Sequence, residues 1–474
     1  MKSVKKTFAK RLKIRFSDSY IFDFVRKFEN YFISHRFNNT STAEKYVLGL
    51  LTCSKGDANM ERMEEEIPGS EYRAYQHFIS NSNWDCEGLQ SAVAIECSSV
   101  LAELKLKSKN PTGYIIDESS HLKKGKKSVC VSRQYAGTIG KVDNCQVGVY
   151  ASLVNGKYAS IINERLFLPK SWEEDSERCD VAGIPKEFQT HKTKPELALD
   201  MIKQDIDRGI EYDWIGGDGL YGHNTKLCNG LDNLNQFFVL DVHKDEKVFL
   251  EEPTFSVPKK KSGGGPIPKK LKADKELIRL DKLIEHVKPD QWKLENIRET
   301  TKGILNLFVY KTQVWSLSSE DNTVKKRTLI ITKTNEKKPK IKYSFSNGEL
   351  EEYSHKEYGY FVAQRYWVER TFDNAKNELG MSDYQTRGWK SWHHHHALIF
   401  LASLLIMRQQ INNQDDVPLL SFKDARILVV LQVFGTKKKI KIRLKQMEKR
   451  HEKRKKDIDR NFRKQTENQK ILTS

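Results

Sequence analysis

Apolar residues in the first hundred positions recur with a helical period. Tyr20, Ile21, Phe24, Val25, Phe28 and Phe32 predict a helix over 17–32. Thr42 stands as a cap for a second helix from Ala43, with Tyr46, Val47 and Leu50 turned inward, and two more are expected over 72–80 and 85–106. Alternating β-branched residues are scarce here. Residues 1–110 therefore read as a helical domain, a form common in DNA binding and in much else.

After Asn110-Pro111 the pattern changes to short apolar runs. Strands are expected over 113–117, 127–135, 144–153 and 158–168, then an amphipathic helix from Pro195 to Arg208, then strands over 211–216 and 236–242. Strands with helical crossovers predict a mixed α/β sheet over 111–243. Between 244 and 358 the helical signal lapses. Lys259-Lys-Lys-Ser-Gly-Gly-Gly-Pro-Ile-Pro-Lys-Lys reads as a solvated linker, and β-like stretches over 305–314, 325–332 and 339–345 read as a β-rich insertion. A long helix is expected from Tyr360 to Glu378 and an apolar one over 391–407, both within 359–435, where the chain returns to the α/β core. The apolar helix is well short of the ~20 residues a bilayer requires, and no secretory signal opens the chain. A cytoplasmic protein with no membrane role is expected.

Charge narrows the partner. The 474 residues carry a formal +19, which suits a polyanion. The tail over 436–474 is the most biased segment: from Lys437 onward, 16 Lys/Arg stand against 5 Asp/Glu. It is either a solvated, partly helical face or a nucleic-acid-contacting arm whose effect should be salt-sensitive. The seven cysteines form no CxxC pair, so neither a thiolate zinc site nor a redox dithiol is signalled.

Three acids stand out against this basic background. Asp117 is expected at the end of the strand carrying Ile115 and Ile116, and Asp218 follows Trp214-Ile215 and Gly216-Gly217. Glycines there let the backbone approach a ligand closely. Alone, each aspartate reads first as a turn or cap residue; together, at neighbouring strand ends, they suit a metal. Glu369 is expected on the long helix, with Arg365 four before it and Lys376 seven after it, so the three form one polar stripe. That stripe is either an ion-pair ladder or a carboxylate on metal between two phosphate contacts. Glu118 should point to the opposite strand face. Lys123, Lys124, Lys126 and Lys127 form a basic loop just after Asp117, placed to touch a nucleic-acid backbone. In His393 to His396, successive helical residues point around the axis, so at most two can share a metal.

The spacing around Glu369 resembles the Tyr-x2-Arg-x3-Glu-x6-Lys signature of insertion-sequence DDE transposases, with Arg365, Glu369 and Lys376 in place and Val362 at the tyrosine position. Tyr72-Arg73-x2-Gln76-His77-Phe78 with Trp84-Asp85, Asp218-Gly-Leu-Tyr-Gly222, and Tyr384-Gln-Thr-Arg387 with Trp389, Trp392 and His396 resemble the same group, over roughly residues 20 to 410. The resemblance implies an α/β RNase H-like catalytic core, interrupted by a β-rich insertion and preceded by a helical DNA-binding domain. It implies that Asp117, Asp218 and Glu369 hold two Mg2+ ions, with Mn2+ able to substitute. Arg365 and Lys376 would clamp phosphates, while Arg387, Trp389, Trp392 and His396 would serve DNA contact or packing. The implied partners are double-stranded transposon ends with terminal inverted repeats, target DNA and a second copy of the chain, in a prokaryotic, nucleoid-associated setting. A transposase-derived DNA-binding regulator without cleavage, and a nonspecific RNase H-like nuclease, are the alternatives.

Overall fold

The principal helices before residue 110 are α1 (Tyr20–Arg26), α2 (Thr40–Thr52), α3 (Tyr72–Ser80) and α4 (Cys86–Ser108). Asp85 caps α4 by accepting from the Gly88 amide at 2.8 Å. Thr42, expected as the cap of α2, lies inside its first turn. Next come β1 (Gly113–Leu122), β2 (Ser132–Ala136), β3 (Lys141–Asn155), β4 (Tyr158–Leu166), α5 (Lys194–Asp207), β5 (Trp214–Gly217), α6 (Gly219–Gly222), α7 (Thr225–Asn233) and β6 (Phe238–Val242). The insertion holds β7 (Lys247–Phe249), β8 (Ile278–Arg279), β9 (Lys293–Thr300), β10 (Gly303–Leu317), β11 (Val324–Thr334) and β12 (Ile341–Ser346). The chain closes with α8 (His355–Gln364), α9 (Tyr366–Glu378), α10 (Trp389–Asn412), α11 (Phe422–Phe434) and α12 (Lys437–Thr473). This computed structural model describes residues 20–34, 37–257, 271–318, 323–336 and 338–473. The linker expected over 258–270 lies outside the described residues.

Two compact units result, Met1–Tyr212 with Tyr366–Asp457, and Asp213–Arg365 with Ile458–Ser474. In the first, β3 is the long central strand. β1 runs antiparallel along one edge, while β2 and β4 share the other, at Lys141–Cys145 and Gly148–Asn155. Helix α10 explains why the N-terminal helices join this unit. Every residue from His394 to Met407 is buried, and a helix apolar on all sides must be enclosed. α2, α3, α4 and α11 pack round it with β4. In the second unit β5 lies parallel to β6, and β6, β12, β11 and β10 continue antiparallel. Val242, Val248, Val314, Leu329, Ile331 and Phe345 form its core. The fold class is as expected: α/β, with an RNase H-like mixed sheet, a β-rich insertion and N-terminal helices.

Three further expectations need correction. β1 does not end at Asp117 but runs five residues further, because β3 continues to pair with it as far as Leu122. The strand expected from Lys127 begins at Ser132, after a turn. The single helix expected from Tyr360 to Glu378 is two. α8 buries Phe361 against Trp214 at 5.1 Å in the second unit, whereas α9 buries Phe372 against Tyr150 at 5.4 Å in the first. Each segment follows its own apolar face, and Arg365, in neither helix, marks the division.

Candidate active site

Asp117 sits mid-strand with Tyr150 directly opposite on β3, and Glu164 of β4 is opposite Tyr150 in turn. Opposed residues of an antiparallel sheet project to the same face, so the three form one row across it. The carboxylate of Asp117 is half-buried and accepts from the Glu118 amide at 2.9 Å. Glu118 points the other way and pairs with Lys194 at 2.9 Å, as alternation requires.

Tyr150 is the hub of a buried polar chain. Its hydroxyl lies 2.7 Å from His121 Nε2 and 3.0 Å from His396 Nε2. His396 Nδ1 lies 2.8 Å from the Trp392 carbonyl, which only accepts, so Nδ1 carries the proton. Burial pushes the His396 imidazole down to about 3, so the ring is neutral and its Nε2 accepts from Tyr150. The Tyr150 oxygen must then accept from His121 Nε2–H, leaving His121 Nδ1 to accept from the Ser382 hydroxyl at 2.9 Å. Every tautomer in the chain is determined: Ser382 donates to His121, His121 to Tyr150, Tyr150 to His396, and His396 to the backbone. The other histidines of the run are engaged separately. His393 Nδ1 meets Glu164 at 2.6 Å, His394 meets the Phe78 carbonyl at 3.3 Å, and His395 meets the Tyr46 hydroxyl at 3.0 Å. His396 and Trp392 are core, with rings 4.0 Å apart. Trp389 is half-buried against His393 and Phe188.

Helix α9 packs on β1, β3 and β4, bringing the element of Glu369 against the element of Asp117. Glu369 itself is exposed. Lys376, on the same helix, donates to the Ser120 carbonyl at 2.9 Å and to Thr138 at 3.0 Å. Burial lowers its ammonium to about 8. Lys123 donates to the Tyr384 carbonyl at 2.9 Å and rests 3.4 Å from the centre of its ring. The Tyr384 hydroxyl donates to Gln146 at 2.7 Å, and the Arg387 carbonyl accepts from Val129 at 2.8 Å. Tyr384–Arg387 thereby fastens the loop after β1. Lys124, Lys126, Lys127 and the Arg387 side chain are exposed.

Asp218 belongs to the second unit and has a different setting. It caps α6, accepting from the Leu220 amide at 2.9 Å. In Asp218-Gly-Leu-Tyr-Gly222 the last glycine is a steric necessity, since a Cβ there would fall 2.0 Å from the Asp241 carbonyl oxygen; one on Gly219 would fall 2.9 Å from His243 Cε1, a side-chain atom that can move. Arg365 Nε donates to Asp241 at 3.1 Å, and Ser344 donates to the other oxygen at 2.8 Å. Asp241, like Tyr150, His121 and Glu164, escaped the sequence reading, since strand register is needed to find any of them. Val362 is 3% exposed, so the signature tyrosine position faces the core of its unit.

Carboxylate oxygens, which each of Asp117, Asp218 and Glu369 carries, are the donor type a hard divalent cation takes. Among the described residues no group of three or more His, Cys, Asp or Glu is gathered closely enough to hold one. No helix among them is long and apolar enough to cross a membrane.

Residues 33–304 match the family model described as DDE superfamily endonuclease. A probable transposase for insertion sequence element IS701 from Microchaete diplosiphon is 26% identical over 310 residues, 65% of this chain and 67% of that protein. The cryo-EM structure of the piggyBac transposase synaptic complex with hairpin DNA aligns over 90% of this chain and 79% of that one, with 11% identity and a TM-score of 0.37, a likeness too slight to argue from.

Proposed function

The chain belongs to the DDE superfamily endonucleases, and on that premise we propose that it is a DNA transposase, cleaving transposon ends and joining them to target DNA. The observation carrying this reading is the packing of α9, with Glu369, against β1, with Asp117, in a chain of +19. Asp117, Asp218 and Glu369 would hold two Mg2+ ions. When bound, these supply Lewis-acid activation of a water or 3′-hydroxyl and relieve charge on the leaving oxygen. The chain's own residues do the positioning. Tyr150 and His121 fix β1, and Lys376 ties α9 to the end of the same strand. Asp241 holds the Arg365 guanidinium, which would face a phosphate as a planar cation.

End recognition fits α3. Arg73, Gln76 and His77 share its exposed face, opposite buried Tyr75, Phe78 and Ile79, and carry the hydrogen-bonding groups that read base edges. Segments 1–110 and 436–474 would then contact DNA, 111–243 and 359–435 would carry catalysis, and a homodimer would pair two ends. A regulator that binds without cleaving is the second reading, favoured by Val362 at the signature tyrosine. A cleavage and strand-transfer assay with the DNA flanking the native gene, with and without Mg2+, decides between them. Metal-dependent nicking lost in Asp117→Ala, Asp218→Ala and Glu369→Ala, with end binding retained, is expected. Nicking by all three variants sinks the triad, and binding without nicking by the wild type selects the regulator.

A further inference from the structure

Helix α12 has two sides of opposite character. On one side Met447 and His451 are buried, and Arg450 pairs with Asp424 of α11 at 2.7 Å. On the other, within the first unit, lie Lys438, Lys441, Lys445, Lys449, Lys453 and Lys456, all exposed. Their spacings of three and four residues keep them on one side of the helix for about five turns. Glu452 and Ile442 interrupt that side. No ion pair engages any of the six lysines among the described residues. The sequence alone left this tail as a solvated face or an arm; the structure makes it a helical rod docked by its far side, so the lysines are held in line.

We propose that this lysine face is a track for the phosphate backbone of duplex DNA, independent of base sequence. The proposal rests on the transposase reading and adds which face, which groups and which kind of contact. From Lys438 to Lys456 the helix rises ~27 Å. One strand of a duplex carries about eight phosphates over that length. Six ammonium groups along a preformed helix approach that charge density, with the backbone that carries them already ordered. Lysine is a point charge with no bidentate geometry for base edges, and the face offers no outward Asn, Gln or Arg among these six positions, so it reads charge and not sequence. The contrast with Arg73, Gln76 and His77 on α3 assigns sequence reading there and sequence-blind holding here.

The test uses the full-length chain and its Lys445→Gln/Lys449→Gln/Lys456→Gln variant. Glutamine keeps the helix and removes three charges, and far-ultraviolet circular dichroism checks that the helix persists. Affinity is measured against salt for a random-sequence duplex and for the duplex bearing the native end. The slope of log affinity against log salt is expected to fall by about 2.7 for both duplexes, roughly 0.9 per lysine, with the ratio of their affinities unchanged. An unchanged slope overturns the proposal. So does a loss confined to the native end, which would make the face a sequence reader. Loss of binding to anionic phospholipid vesicles with an intact DNA slope overturns it in favour of a membrane surface. If the wild type binds neither duplex, the transposase reading fails as well; if it nicks ends normally while the variant keeps its slope, this proposal alone fails.

Discussion

The surroundings of Asp117 and of Asp218 are built on opposite principles. Asp117 stands in a sheet row whose neighbours, Tyr150 and Glu164, are buried and hydrogen-bonded through histidines. Asp218 stands on a corner cleared by glycines, with exposed His223 bonded to Glu246 close by. The first neighbourhood is fixed by polar pairing in the interior, and the second by how closely backbone can approach backbone. One carboxylate is thus rigid through chemistry and the other through sterics, and the two should fail under different insults.

Acid should separate them most strongly. His121, His394, His395 and His396 are held below their ordinary pKa by burial, the last three to about 3, so they stay neutral in the fold. Unfolded imidazoles take up protons near 6.5. The unfolded chain therefore binds more protons between about 6.5 and 3, and stability falls as pH drops through that window, by ~1.4 kcal/mol per pH unit for each imidazole. The buried histidines of the described residues all lie in the first unit. Hydrogen exchange between pH 7 and 5 should show β1, β3 and α10 losing protection while β10 and β11 keep theirs; uniform loss in both units would contradict the comparison.

Tyr150→Phe comes next. It leaves the His121 donor and the His396 acceptor unpaired in the interior, at ~1–3 kcal/mol for each group. A drop of about 3 kcal/mol in urea-measured stability is expected, and a change below ~1 kcal/mol would mean the chain of bonds had been replaced by water. Gly222→Ala attacks the other corner. Its Cβ meets a backbone oxygen, which cannot swing aside, so a loss of ~1–3 kcal/mol is expected. Gly219→Ala meets only the edge of the His243 ring, which can rotate, and should cost below ~1 kcal/mol. Equal melting temperatures for the two alanine variants would show that the corner is not set by backbone approach.

The glycine corner was largely legible in the sequence, and the histidine row was not. Asp218-Gly-Leu-Tyr-Gly222 announces a tight turn because glycine has few other reasons to recur at that spacing. Tyr150 gives no such sign, being one aromatic in an apolar strand whose importance depends on its register with Asp117. The four histidines were visible as a run, but their partners, Tyr46, Phe78, Tyr150 and Glu164, lie more than 200 residues earlier. The break at Arg365 was hidden for a related reason. Helical spacing of Arg365, Glu369 and Lys376 survives in the sequence even though α8 and α9 bury their apolar faces in different units. Helix α10 was recognised as apolar, but only its enclosure explains why the N-terminal helices share a core with the sheet.

The one-way chain from Ser382 through His121, Tyr150 and His396 has an evolutionary consequence. His121, Tyr150 and His396 each accept one hydrogen bond and donate one, so no single replacement among them preserves the accounting at its neighbours. These positions should drift together or not at all: a relative with phenylalanine at the place of Tyr150 should have lost both flanking imidazoles. Such linked change would make the interior of this domain a record of paired substitutions, while the lysines of α12, interchangeable by charge, should wander freely along their helix.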